Sequence, residues 1–142
     1  MKRVAVFGLA LTGTAAARAL VRRNFNTVLS DDVITSEHRK FAAELSCDIV
    51  PVDSSAAISN FLEGIDVLIP APGVAPHHPV IAAALSKGIS VRTEIDIAYE
   101  WEQQRPGGSR PILGVTGTDG KTTTTMIAAA LVRSTGRTIG EV

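Results

Sequence analysis

The stretch Val4-Ala5-Val6-Phe7-Gly8-Leu9-Ala10-Leu11-Thr12-Gly13 decides the fold. Four consecutive apolar residues, Val4 to Phe7, read as a strand buried on both faces, as in a parallel sheet covered by helices. After the Gly8–Gly13 loop, Ala15, Ala16, Ala19 and Leu20 fall at helical spacing, with Asn24 able to end the helix. The dinucleotide fingerprint is G-x-G-x-x-G after a strand, with an acidic residue about 20 positions further on. Gly8 and Gly13 hold its outer positions and Asp31 supplies the acid, but Ala10 stands where a glycine lets backbone approach a pyrophosphate. Free N–H groups and the positive end of a helix dipole would still favour a phosphate there. The plain alternative is a tight strand-to-helix turn with no ligand.

Outward from that unit, apolar runs and helical patterns alternate, which predicts an α/β, Rossmann-like open sheet, mainly parallel, with helices on both faces. Strands are expected at Thr27–Ser30, Asp48–Val52, Ile65–Ile69 and Ile89–Arg92. Pro70 cuts the third of these, since proline cannot donate to a ladder. Helices are expected over 35–46 and 54–63, from Pro79 to a stop at Gly88, and over 94–104, with Trp101 sharing a packing face with Ile97 and Ala98. Residues 106–111 are linker-like, so one domain is placed at 1–105. A strand at Ile112–Val115, a Gly/Thr loop and a helix from Lys121 to Thr135 then open a second domain, 112–142, which reads as truncated. Val142 lies in or just before another element, and Ile127, Ala128, Leu131 and Val132 form an apolar stripe with little to cover it.

Composition removes several classes. The 142 residues carry 14 Lys+Arg against 14 Asp+Glu, so no basic excess suggests nucleic acid. A hydrophobic fraction of 45% argues against a disordered chain. No run approaches the roughly 18 apolar residues of a membrane helix. The basic start resembles a signal peptide, but its glycines and threonines fit a strand better. Cys47 is the one cysteine, which excludes an internal disulfide and points to a reducing compartment, with the cytoplasm expected. Cys47 reads as a small buried hydrophobe and His38 as a solvated residue of a charged helix.

Two further motifs lie at strand ends, where open α/β sheets bind ligands. Thr116-Gly117-Thr118-Asp119-Gly120-Lys121-Thr122-Thr123 lacks the first glycine of the ordinary P-loop, Val115 being there, but keeps two glycines, a lysine and a hydroxyl residue. Such a nest binds phosphate oxygens through backbone N–H groups, its lysine reaches the terminal phosphates, and Thr122 can ligate Mg²⁺. A Gly/Thr turn with a solvated lysine is the alternative. The other motif, Ala71-Pro72-Gly73-Val74-Ala75-Pro76-His77-His78-Pro79, reads as a turn with an exposed His pair, because adjacent histidines lack the spacing of helical metal ligands.

These residues together resemble the Mur ligase family. Gly8-Leu9-Ala10-Leu11-Thr12-Gly13 is similar to its G-L-G-L-T-G loop, Pro72-Gly73 follows the fourth strand, and Gly117-Thr118-Asp119-Gly120-Lys121-Thr122 resembles its G-T-N-G-K-[ST] ATP loop. The Leu11-Thr12-Gly13 segment points to the branch that adds D-glutamate. The resemblance implies a first domain that holds the uridine nucleotide of UDP-N-acetylmuramoyl-L-alanine: Leu11, Thr12 and Gly13 at the diphosphate, Asp31 and Asp32 near the uracil or ribose, and Gly73 near the sugar. It implies ATP and Mg²⁺ at Gly117, Thr118, Asp119, Gly120, Lys121, Thr122 and Thr123, with Lys121 catalytic and Thr122 on the metal. The reaction implied is amide formation through an acyl phosphate that D-glutamate attacks, in peptidoglycan synthesis. Departures are Ala10, Asp119 for asparagine, and Ala71 where serine often precedes Pro-Gly. The implied full-length enzyme is monomeric, whereas the 142 residues alone are expected to be inactive and prone to self-association. Two other readings stand beside it: an NAD(P)-dependent Rossmann oxidoreductase, and a non-catalytic nucleotide-binding module.

Overall fold

The computed structural model describes residues 2–140, and the element expected around Val142 lies outside them. The elements are β1 (Arg3–Phe7), α1 (Leu11–Arg22), β2 (Asn26–Ser30), α2 (Ser36–Glu44), β3 (Asp48–Ile49), α3 (Ser55–Phe61), β4 (Val67–Pro70), α4 (Pro79–Ser86), β5 (Ser90–Val91), α5 (Glu94–Gln103) and α6 (Lys121–Ser134). The chain divides into two compact units, one ending at Arg105 and the other beginning at Pro106.

In the first unit the five strands form one sheet in the order β3-β2-β1-β4-β5, every pair parallel. This is the doubly wound order, with its switch point between β1 and β4. The two-residue period of the strands sorts the core. Ala5, Phe7, Val28 and Leu68 face Phe61, Leu62, Val80, Ile81 and Ala84 of the α3 and α4 segments. Val4, Val6, Leu29, Val67 and Ile69 face Ala17 and Leu20 of α1 and Phe41 and Ala42 of α2, with Ile97 and Trp101 of α5 against the same layer. Fully burying side chains such as Phe7 and Phe61 contributes about 1.5–3 kcal/mol each.

Strand ends differ from the sequence reading. β3 stops at Ile49, because Pro51 has no N–H to extend the ladder that Val50 N closes on Leu29 O at 2.9 Å. Pro70 terminates β4 from inside it, paired with Phe7, and Ala71 N resumes hydrogen bonding by donating to Phe7 O at 2.8 Å. Asn24 ends α1 at φ +61°, one of two non-glycine residues in the left-handed region among the described residues.

The second unit contains α6 but no strand at Ile112–Val115. A strand must satisfy its N–H and C=O groups on a neighbour, and no described residue of this unit supplies one. Ile112 and Leu113 are exposed, as are Met126, Ile127 and Leu131 on α6.

Candidate functional site

The carboxyl ends of β1, β2 and β4 carry the first candidate site. Gly8 takes φ +91°, and its N–H donates to Ser30 O at 2.9 Å, tying the β1–α1 turn to the end of β2. A Cβ at Gly13 would stand 1.7 Å from Gly8 O, so α1 starts against the turn at a distance only glycine allows. Ala10 is the N-cap at φ −73°, a conformation any residue adopts, and offers no side-chain cap. The departure from glycine at position 10 therefore costs the backbone nothing. Like glycine, Ala10 leaves the first-turn N–H groups of Leu11, Thr12 and Gly13 without a capping side chain, as an anion site requires. Leu11 is 87% exposed beside them.

Asp31, expected near the uracil or ribose, also holds the protein's own backbone. One carboxylate oxygen accepts Leu9 N–H at 2.6 Å and the other accepts Val33 N–H at 3.2 Å. A carboxylate has about four acceptor sites, so Asp31 fastens the two loops and retains capacity for a ligand donor. Asp32 lies beyond it, largely exposed, with Oδ1 bonded to His78 Nε2 at 3.0 Å.

The β4–α4 loop forms the opposite wall. Ala71 packs on Gly8 closely enough that a Cβ on Gly8 would lie 2.9 Å from its own. Gly73 has no neighbour within 4 Å of a built Cβ and no positive φ, so the fold itself does not require glycine there. The expected exposed His pair is corrected. His77 is exposed, but His78 is the N-cap of α4, its Nδ1 accepting Val80 N–H at 3.2 Å and its ring 4.8 Å from Phe7. The signal was present in the sequence: a polar residue directly before a first-turn proline is an N-cap position. His38 is likewise half-buried, closing a capping box with Thr35. Among the described residues no cluster of three His, Cys, Asp or Glu could hold a metal.

Two surface hollows, ≈ 670 Å³ and ≈ 310 Å³, lie at the other, amino-terminal end of the strands. The larger is open and lined by Ser59, Asn60, Glu63 and Lys87 among others. Neither meets the glycine turn. The smaller includes half-buried Cys47, whose thiol is pushed up by burial and then by the negative charge of Asp48.

In the second unit, Gly120 is the N-cap of α6 at φ +74°, which turns the loop into the helix. Lys121 Nζ folds back, donating to Gly117 O at 2.6 Å and Thr118 O at 3.2 Å. The ammonium thus sits among the loop's carbonyls, with Thr122 and Thr123 exposed next to it and Asp119 exposed in the loop. Lysine, hydroxyls and an uncapped helix start fit a triphosphate. Thr122 is the residue that would hold a magnesium ion there, whose charge would offset that of the phosphates.

Residues 2–93 match the family described as Mur ligase MurD-like, N-terminal domain. The UDP-N-acetylmuramoylalanine–D-glutamate ligase of Syntrophus aciditrophicus is 31% identical over 97% of this chain, and that of Streptococcus uberis 34% over 96%. The chain spans 29% of the length of each. In fold, it is similar to the UDP-N-acetylmuramate:L-alanyl-gamma-D-glutamyl-meso-diaminopimelate ligase from Neisseria meningitides (TM-score 0.63, 22% identity, 96% of this chain and 40% of that one). The UDP-N-acetylmuramate–alanine ligase of Thermotoga maritima is another such neighbour (TM-score 0.60, 23% identity, 96% and 30%). Glycine turn, parallel sheet and family match cover the same residues, and the chain belongs to the MurD-like Mur ligases through their N-terminal domain.

Proposed function

We propose that this chain holds the uridine nucleotide in a cytoplasmic, ATP-dependent ligase that joins D-glutamate to UDP-N-acetylmuramoyl-L-alanine during peptidoglycan synthesis. The observation that carries the reading is the uncapped start of α1 at the switch point, walled by Asp31 and Asp32 on one side and Gly73 on the other. Free N–H groups at Leu11, Thr12 and Gly13 suit a diphosphate. The remaining acceptor sites of Asp31 and Asp32 suit the N–H or hydroxyl donors of a uracil or ribose. Open space above Gly73 suits a sugar approaching the backbone. The name shared by the curated relatives supports the D-glutamate branch.

The Gly117–Thr123 loop extends the proposal to ATP. In that reading the substrate carboxylate takes the γ-phosphoryl group, ADP leaves, and the amine of D-glutamate displaces phosphate to form the amide. Lys121 would exchange its loop carbonyls for phosphate oxygens and stabilise charge on the transferring group. Mg²⁺ held at Thr122 would supply further charge neutralisation.

Thermal shifts of the chain with UDP-N-acetylmuramoyl-L-alanine, NAD and Mg-ATP test the reading. A ligand at a hundredfold its Kd adds about 2.7 kcal/mol of stability. Stabilisation by the uridine compound is expected, and stabilisation by NAD alone would replace this reading with the oxidoreductase one.

A further inference from the structure

We propose that His78 is a positioning residue, holding Asp32 across the mouth of the cleft so that the β2–α2 turn is preset for the uridine end of the ligand. The inference rests on the uridine reading of that cleft and adds to it a residue outside the glycine turn and the acidic pair. His78 and Asp32 are 46 residues apart in sequence, yet Nε2 and Oδ1 meet at 3.0 Å. The tautomer follows from the other ring nitrogen. Nδ1 accepts Val80 N–H at 3.2 Å, so the one proton of the neutral imidazole sits on Nε2 and is donated to the carboxylate. The ring packs on Phe7, the last residue of β1 and thus directly below the switch point.

Three anchors therefore fix the imidazole: the α4 cap, the Phe7 ring and the Asp32 carboxylate. Its side chain is 20% exposed, against 65% for Asp32. Asp32 is thus a surface carboxylate that would sample several rotamers without this donor. With one oxygen engaged, the other has no protein partner among the described residues and keeps its acceptor sites for a ligand donor. Ordering a flexible side chain before binding improves affinity roughly two- to tenfold.

The test separates cap from link. In His78→Asn the side-chain oxygen keeps capping Val80, since asparagine is among the best N-caps, but is too short to reach Asp32. Calorimetric titrations with UDP are compared for wild type, H78N, D32A and the double variant, with ADP as a control nucleotide. H78N keeps the cap but loses the ring on Phe7, so a modest fall in melting temperature is expected, with UDP bound about two- to tenfold more weakly. The double variant should bind like D32A, because a residue acting through another loses its effect when the other is gone. Unchanged UDP affinity in H78N, or losses that add in the double variant, would overturn the role. So would a nitrogen NMR spectrum of the free chain placing the proton on Nδ1. A wild type that binds no UDP would instead end the uridine reading, and the positioning role with it.

Discussion

Asp31 accepts the backbone N–H of Leu9 at 2.6 Å, joining the end of β2 to the glycine turn that follows β1. Leu9 is 4% exposed, so its amide has no ready access to water. Asp31→Ala is expected to cost about 1–3 kcal/mol, the penalty for a donor left without a partner. Denaturant unfolding of the first unit measures it. A loss below about 0.5 kcal/mol would show that the turn holds itself.

Gly13 and Gly73 should respond oppositely. Gly13→Ala places a methyl 1.7 Å from Gly8 O, and expected destabilisation exceeds about 3 kcal/mol because helix and turn must separate. Gly73→Ala meets nothing within 4 Å, so stability should change by less than about 0.5 kcal/mol while affinity for the uridine substrate falls. Melting curves and titrations of the two variants check both statements.

Lys121→Ala removes a charge-assisted contact worth roughly 1.5–3 kcal/mol, so ATP should bind about one to two decades more weakly to full-length protein. An ATP dependence that is unchanged would remove the assigned role. Because the chain spans 29% of its relatives' length, the 142 residues alone are expected to turn over neither ATP nor D-glutamate. Phosphate release assays on the purified chain decide that.

Burial, followed by the Asp48 charge, raises the Cys47 thiol above its ordinary value of 9.0. The folded state then holds the thiol proton more tightly than the unfolded chain. The associated stability is complete below the unfolded value and is lost as pH rises through the folded one. Alkylation with iodoacetamide at pH 8 should accordingly be slower in native protein than in denaturant. Equal rates would contradict the assigned environment.

Ile112 and Leu113 are 64% and 74% exposed, with no strand formed around them. Amides of residues 112–120 are expected to exchange within the shortest measurable time, whereas β1 and β4 stay protected. Strong protection at 112–115 in a dilute monomer would mean that the stretch finds a ladder partner.

The sheet was legible because continuous apolar runs such as Val4–Phe7 and Val67–Ile69, short and bounded by turn residues, read as strands covered on both faces. Ile112-Leu113-Gly114-Val115 carries the same local signal and fails, since ladder hydrogen bonds belong to the pair of strands and not to one segment. The glycine turn was legible by spacing. The partners of Asp31 were not: an acid at a strand end has the same pattern whether it meets a ribose or the amide of Leu9. His78 differs from its pattern for a related reason. Its neighbour His77 suggested a surface pair, while burial depends on Phe7 and Asp32, which are distant in sequence. Trp101 packs as expected, against Phe25 at 5.9 Å and under the guanidinium of Arg23 at 4.2 Å.

The close crossing of α1 over the first turn has a practical corollary for altering what the cleft accepts. Positions 8 and 13 tolerate no added carbon, whereas position 10 sits in an ordinary backbone conformation and position 73 borders open space. A combinatorial library aimed at a changed nucleotide preference should therefore hold the two outer glycines invariant and randomise 10, 12, 32 and 73. Diversity placed at 8 or 13 would be spent on clones that never mature into usable protein.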